Sequence, residues 1–319
     1  MKKLNIIAVV VTYNRLALLT EAIAALKDQT APVKDVIVIN NGSTDNTARW
    51  LDTQTGLTVI HQANLGASGG FATGIKLAAG KGADYIWVMD DDTICQPAAL
   101  EKLLENIAFI NEPIGFLSSR CNWTDGSPHY MNIPSVRPLF NNRLPFNKYD
   151  DHGMILIESS SFVSLLVNTE AVKDVGLPYK EFFIWGDDQE FTSRITKQGY
   201  LGFYCTDSIV LHKTPFNNFT DYYNDTAGNI WKHRHGFRNE FFMVKKNKGF
   251  LYFICWLQVK VIYASIKILR IRKKEHFQFI RAIWGAAWES VFFNPKIDML
   301  NITKSNENSS SKIPVLYKV

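Results

Sequence analysis

Tyr85-Ile86-Trp87-Val88-Met89 is an unbroken apolar run, and it ends in Asp90-Asp91-Asp92. Such a run predicts a strand buried on both faces, as in the centre of a parallel sheet. Three consecutive carboxylates repel one another, and they persist cheaply only when solvated or when a cation compensates them. At the carboxyl end of a buried strand they lie where open α/β sheets bind ligands. Alternate residues share a face of an extended chain, so Asp90 and Asp92 are placed to approach one divalent ion. Hard oxygen ligands suit Mn2+ or Mg2+, which pair naturally with a diphosphate. A solvated acidic turn is the plain alternative.

Working outward, strand-like and helix-like stretches alternate. Strands are expected at 6–12, 36–40, 57–62 and 85–89, and helices at 16–28, 45–54, 69–80 and 97–111. Alternation at this spacing predicts a parallel α/β sheet with helices on both faces. The polar clusters at 12–15, 40–45, 64–70 and 90–93 all fall at strand carboxyl ends. Residues 121–153 show no period and are read as an irregular insertion. A strand is expected at 155–167, a helix at 169–175 and a last strand pair at 202–211. A boundary is placed at 215–245, followed by two helical segments and, from 301, a tail expected to be disordered. This gives a catalytic domain over 1–240, a basic helical region over 241–300 and a flexible tail over 301–319.

Further chemistry sits in four places. Trp185-Gly186-Asp187-Asp188-Gln189-Glu190 opens a predicted helix, where carboxylates are favoured by the dipole alone; beside a Trp ring they also suit a sugar hydroxyl that must lose a proton. His212 closes a strand and can complete a metal site if it meets the carboxylates. Asn64-Leu65-Gly66-Ala67-Ser68-Gly69-Gly70-Phe71 leads into a helix, and its backbone can approach a nucleotide closely. It lacks the G-x-G-x-x-G pattern. The first strand is followed instead by Thr12-Tyr13-Asn14-Arg15, which argues against a dehydrogenase.

The 319-residue chain is 46% apolar and carries a net charge of +5. Residues 232–296 hold 14 Lys and Arg against 3 Asp and Glu, so the remainder is net acidic. A basic end on an acidic body points to a polyanionic contact surface. The 250–271 stretch is apolar enough to be weighed as a membrane span, but Lys260 lies near its middle. At 100° per residue Lys260, Lys267, Arg270 and Lys274 share one face. That pattern, with the aromatic-rich 277–293 stretch, fits peripheral contact with a membrane. Packing on the catalytic domain or an oligomer contact is the alternative, and nucleic acid is not expected. The four cysteines, Cys95, Cys121, Cys205 and Cys255, form no C-x-x-C pair, which fits a reducing cytosol. The apolar run at 4–11 imitates a signal peptide but lacks a cleavage site, and it reads as the first strand.

In order and spacing, these motifs resemble the family 2 glycosyltransferases, in the branch of galactofuranosyl- and rhamnosyltransferases of bacterial surface polysaccharides. The resemblance runs over about residues 5–240. It rests on 9–15, on Val38-Ile39-Asn40-Asn41-Gly42-Ser43-Thr44-Asp45, on the N-x-G-x-x-G-G-F run from Asn64, on Met89 to Thr93, on Trp185 to Glu190 with His212, and on Phe237-Arg238-Asn239. It implies a GT-A fold, a UDP- or dTDP-sugar donor, inversion at the anomeric carbon and a glycan or polyprenyl-linked acceptor at the cytoplasmic face of the cell membrane. Carried across, Asp90, Asp92 and His212 hold the metal, and Asp188 is the base. Trp185, Asp187 and Glu190 serve the acceptor. Thr12, Asn14, Arg15, Asn40, Asn41, Asn64, Gly66, Gly69, Gly70, Asp90 and Asp91 serve the donor. Where the family often has Asp, this chain has Asn40, which loosens the nucleotide assignment. A metal-dependent nucleotidyltransferase or phosphohydrolase, or a non-catalytic sugar-binding protein of the same fold, are the competing readings. The first would not need Trp185 and Asp188, and the second would not need three adjacent Asp.

Overall fold

A computed structural model describes residues 4–139, 144–219 and 221–300. The expected tail from 301 lies outside them. The first half alternates as the sequence predicts: β1 (Ile6–Thr12), α1 (Leu16–Lys27), β2 (Asp35–Asn40), α2 (Thr47–Asp52), β3 (Thr58–His61), α3 (Gly66–Gly80) and β4 (Tyr85–Asp90). Then come β5 (Thr93–Cys95), α4 (Ala99–Ile107), β6 (Ile114–Asn122), β7 (Met154–Ile157), β8 (Leu165–Asn168), α5 (Thr169–Val175), α6 (Asp187–Lys197) and β9 (Leu201–His212). Three helices follow, α7 (Ile230–Lys248), α8 (Phe250–Ile271) and α9 (His276–Phe292).

The strands make one sheet in the order β3-β2-β1-β4-β8-β6-β9-β5, with β7 also paired to β9. Pairs β3–β2, β2–β1, β1–β4 and β6–β9 are parallel. Burial on both faces is literal in β1. Ile6, Ala8 and Val10 pack under α1 and α4, while Ile7, Val9 and Val11 pack under α3, α5 and α6. Each such side chain removed from water contributes about 1.5–3 kcal/mol. Glycines let α3 lie directly on β1, because a Cβ at Gly74 would sit 2.2 Å from Val9 Cγ1 and one at Gly70 2.5 Å from Val11 Cγ1.

Three expectations change. The predicted strand at 155–167 is two strands, β7 and β8. Between them, serines turn aside to bond β6, with Ser160 Oγ 2.7 Å from Ser118 Oγ and Ser164 Oγ 2.6 Å from Ser119 Oγ. The predicted pair at 202–211 is the single long strand β9. Beyond 215 there are three helices, and position 240 falls inside α7. One side of α7, through Phe237 and Phe241, joins a cluster with Phe253, Val261, Ile268, Phe279 and Ile283 of α8 and α9.

Candidate active site

The parallel register sets Val11 beside Asp90, so the turn after β1 meets the carboxylates after β4. Thr12 Oγ1 donates to Asp91 Oδ2 at 2.7 Å, and the Tyr13 N–H reaches the same oxygen at 3.4 Å. Arg15 pairs with Asp91 Oδ1 at 3.3 Å and with Asp92 Oδ2. Thr12 and Arg15 therefore meet the acidic cluster directly.

His212 arrives from the opposite side. β5 runs antiparallel to β9 with Thr93 opposite His212, which brings the imidazole against Asp92. Its Nε2 lies 3.1 Å from Asp92 Oδ1. The approach lacks hydrogen-bond alignment, so Oδ1 is a buried acceptor with no donor. Asp90, Asp92 and His212 each bring a ligand atom within 4.8 Å of the others. Two carboxylates, an imidazole and an orphaned buried oxygen are a donor set that fits a divalent cation. Asn132 holds the ring for that role. Its Nδ2 donates to Ser161 Oγ at 2.7 Å, which leaves its Oδ1 to accept from His212 Nδ1 at 2.8 Å and Nε2 free towards the carboxylates.

Electrostatics separate the carboxyls. Burial, then the charge of Asp92, pushes Asp90 up to about 7. Burial lifts Asp91 to about 6 against the pull of Arg15. Burial is outweighed at Asp92, which His212 and Arg15 draw down to about 2. His212 is raised despite burial, by Asp92 and Asp90.

The Trp185–Glu190 motif stands on a constrained loop. Phe183 and Trp185 take φ of 66° and 65°, values that bulky L-residues rarely adopt. Buried Asn239 of α7 holds them, its Nδ2 donating to the carbonyls of Phe182, Ile184 and Trp185 at 3.0, 3.1 and 2.9 Å. Arg238 adds a bond to the Glu181 carbonyl at 2.7 Å. The Trp185 ring rests on Gly236, where a Cβ would lie 2.9 Å from Cε3. α6 begins at Asp187, and half-buried Asp188 comes next. Burial, then the charges of Asp187 and Asp90, raise Asp188 to about 8. Asp188 and the acidic cluster therefore share one electrostatic site.

Other predicted residues have structural partners. Glu190 is buried and paired with Arg194 at 3.0 Å and Lys246 at 2.8 Å. Asp187 is buried, with Oδ2 lacking a donor. Asn41 donates to the Gly66 carbonyl at 2.9 Å and to Asn64 Oδ1 at 3.2 Å, Asn40 meets His61 at 2.9 Å, and Asn14 accepts from the Thr44 N–H at 2.7 Å. These amides lace the turns after β1, β2 and β3 to one another. Gly69 and Gly70 are accounted for by packing, and a Cβ at Gly66 would overlap the Phe183 carbonyl at 2.1 Å. Asn132 carried no sequence signal, because its stretch has no period. Asn239 was visible in Phe237-Arg238-Asn239, but its role was not.

Residues 7–165 match a family model described as Glycosyl transferase family 2. Galactofuranosyltransferase GlfT1 of Mycobacterium tuberculosis H37Rv is 29% identical over 221 residues, which is 67% of this chain and 72% of the relative. Undecaprenyl-phosphate mannosyltransferase of Micrococcus luteus is 29% identical over 117 residues, 35% of this chain and 48% of the relative. S. aureus TarS has a TM-score of 0.51 at 18% identity, over 66% of this chain and 37% of that one. GalNAc-T7 solved with UDP, GalNAc and Mn2+ has a TM-score of 0.56 at 12% identity, over 76% of this chain and 48% of that one. This chain spans less than half the length of those two structures, and the likeness is one of fold, in accord with the GT-A expectation. Motif order, the family match and the fold agree: the chain belongs to glycosyl transferase family 2 and is a glycosyltransferase.

Proposed function

We propose that the chain transfers a sugar, with inversion, from a UDP- or dTDP-sugar to a hydroxyl of a lipid-linked or polysaccharide acceptor in cell-surface glycan synthesis. Galactofuranose is favoured over rhamnose, because the GlfT1 relatives carry that name and match two thirds of this chain. The observation that carries the reading is the meeting of Asp90, Asp92 and His212 where β4 and β9 end, their ligand atoms within 4.8 Å of one another. Asp90, Asp92 and His212 would hold Mn2+ or Mg2+, which when bound neutralises the donor diphosphate and makes it a better leaving group. Asp188 takes the proton of the acceptor hydroxyl as that oxygen bonds to the anomeric carbon and the bond to the diphosphate breaks. Its raised affinity for a proton makes it a stronger base than an ordinary carboxylate. Trp185 offers an apolar face to a sugar ring, and Arg15 with Thr12 keeps Asp91 in place beside the donor. No enzyme nucleophile is required.

The reaction belongs at the cytoplasmic face of the membrane in this reading. Among the described residues one helix, α8, is long and apolar enough to cross a membrane by length and composition. Its inward residues Phe253, Leu257, Val261, Ala264 and Ile268 are buried, and its outward ones include Leu251, Val259, Ile262, Ile266 and Leu269. A helix packed along one side and mostly apolar along the other, with Arg270 exposed among those residues, suits a position on the bilayer surface.

The test is nucleoside diphosphate release from a panel of UDP-, dTDP- and GDP-sugars, with a lipid-like glycan acceptor and with or without Mn2+. Release from one donor that needs metal, acceptor and Asp188 is expected. Asp188→Asn is expected to keep UDP affinity and lose transfer; equal turnover in that variant would sink the base assignment.

A further inference from the structure

A groove of about 480 Å3 lies between the start of α7 and α9, lined by Ile230, Trp231, Arg234, Gln278, Arg281 and Ala282. We propose that it holds the diphosphate of an isoprenoid-linked acceptor. This deepens the transferase reading and rests on its lipid-linked acceptor. Arg234 is laid across α9 deliberately close: a Cβ at Gly285 would be 3.3 Å from its Cζ, and Glu289 pairs with its guanidinium. Arg281 is exposed and has no ion pair or hydrogen bond to another described residue. Arg234, paired with Glu289, and the unpaired Arg281 leave the groove with a net positive charge, and guanidinium groups match phosphate oxygens in geometry and charge.

Both ends of the groove lead somewhere useful. On one side Trp231 stands edge-on to Phe183 at 6.1 Å, and His235 stacks on Phe183 at 5.1 Å. Phe183 belongs to the loop that carries Trp185 towards Asp188, and its carbonyl accepts the Ser68 N–H at the start of α3. On the other side the same face of α9 carries Phe277, Trp284 and Trp288, exposed by 72, 52 and 69%. Trp284 Nε1 donates to Ser265 Oγ of α8 at 3.1 Å, which makes this face continuous with the apolar side of α8. A ligand with an apolar tail, a doubly charged head and a sugar beyond it matches that sequence of surfaces. A nucleotide donor does not, since it has no apolar tail to lay along α9.

The experiment is isothermal titration of the full chain with farnesyl diphosphate in EDTA, so that a metal-bound donor site cannot take the ligand. Arg281→Gln and Gln278→Glu, both surface changes, are each expected to weaken binding by at least about tenfold, the scale of a charge-assisted hydrogen bond. UDP binding with Mn2+ is expected to be unchanged in both. Equal affinity in Arg281→Gln would overturn the proposal, as would farnesol binding as tightly as farnesyl diphosphate. Displacement by phosphatidylglycerol vesicles with the same dependence on Arg281 would also overturn it, by making the groove a general headgroup contact. Binding that depends on Arg281 in a chain that transfers no sugar would refute the transferase reading and leave the groove standing. Transfer to a farnesyl-diphosphate-linked sugar with an unaltered KM in Arg281→Gln would refute the groove alone.

Discussion

Asn239 offers a sharp test of how Asp188, the proposed base, is positioned. Its side-chain amide has two N–H groups, shared among three carbonyls of the 182–185 loop, and the side chain is fully buried. Asn239→Leu keeps the approximate volume and removes every one of those bonds. A buried carbonyl left without a donor costs about 1–3 kcal/mol, so losing the shared pair predicts roughly 3 kcal/mol of destabilisation. The loop also holds Phe183 and Trp185 at positive φ, each a strain of about 1–3 kcal/mol that only its surroundings maintain. At about 2 °C per kcal/mol for a chain this long, Tm should fall by roughly 6 °C. Because Asp188 follows directly, a shift of about 1 Å should lower kcat by about 100-fold. UDP affinity with Mn2+ should persist, since Thr12, Asp91, Asp92 and His212 are untouched. Asn239→Asp, nearly isosteric, should be at least as damaging, because it turns a carboxylate on carbonyl oxygens. Thermal denaturation, steady-state kinetics and UDP titration would read all three effects. A Leu variant with unchanged Tm and kcat would show that the loop holds itself, and the reasoning would fail.

Other outcomes follow from the same geometry. Asp90, Asp91, Asp187 and Asp188 are raised to between about 6 and about 8, above the unfolded carboxylate value, so they bind protons more tightly when folded. Their contribution to stability is complete below about pH 4 and is lost as pH rises through 6 to 8. In EDTA, Tm should therefore decline over that range, and Mn2+ should raise it more at pH 8 than at pH 5; equal increments at both would count against a cation on this cluster. Gly74→Ala should destabilise by about 1–3 kcal/mol by pushing α3 off Val9, whereas Gly80→Ala, whose Cβ meets nothing, should be close to neutral; comparable denaturation midpoints would contradict the packing account. Val259→Glu with Ile262→Glu should reduce sedimentation with phosphatidylglycerol vesicles and leave UDP binding intact. Unchanged sedimentation would argue against α8 as the membrane face.

The acidic centre was legible because local rules and tertiary structure agree there. An apolar strand ending in Asp90, Asp91 and Asp92 has few ways to be buried, and a parallel sheet places its end at the ligand crevice. His212 was legible as a strand end, although its pairing opposite Thr93 belongs to the register alone. Asn132 was not legible, since a single amide in an aperiodic stretch gains its meaning only from the imidazole it meets. For Glu190 the position was legible and the partners were not. It reads as a helix-start carboxylate, and Arg194 from one turn along α6 and Lys246 from α7 enclose it. The charges of α8 were legible in their spacing but not in their partners. Helical spacing puts Lys260 and Lys267 on one face, and Glu240 and the ring of Tyr223 claim them at the edge of the packed side, leaving an outer face that is mostly apolar around the exposed Arg270.

α7 has a consequence of scale. It runs 19 residues, about 28 Å at the helical rise. Asn239 near its middle grips the loop before Asp188, the proposed proton acceptor, and Phe237 and Phe241 on its other side grip α8 and α9. In the proposed reading, height above the bilayer and the location of the chemistry are set by a single stiff rod. An enzyme of the proposed kind works as a depth gauge: of the hydroxyls on a surface-anchored chain, it takes the one that its own geometry lifts to the height of Asp188.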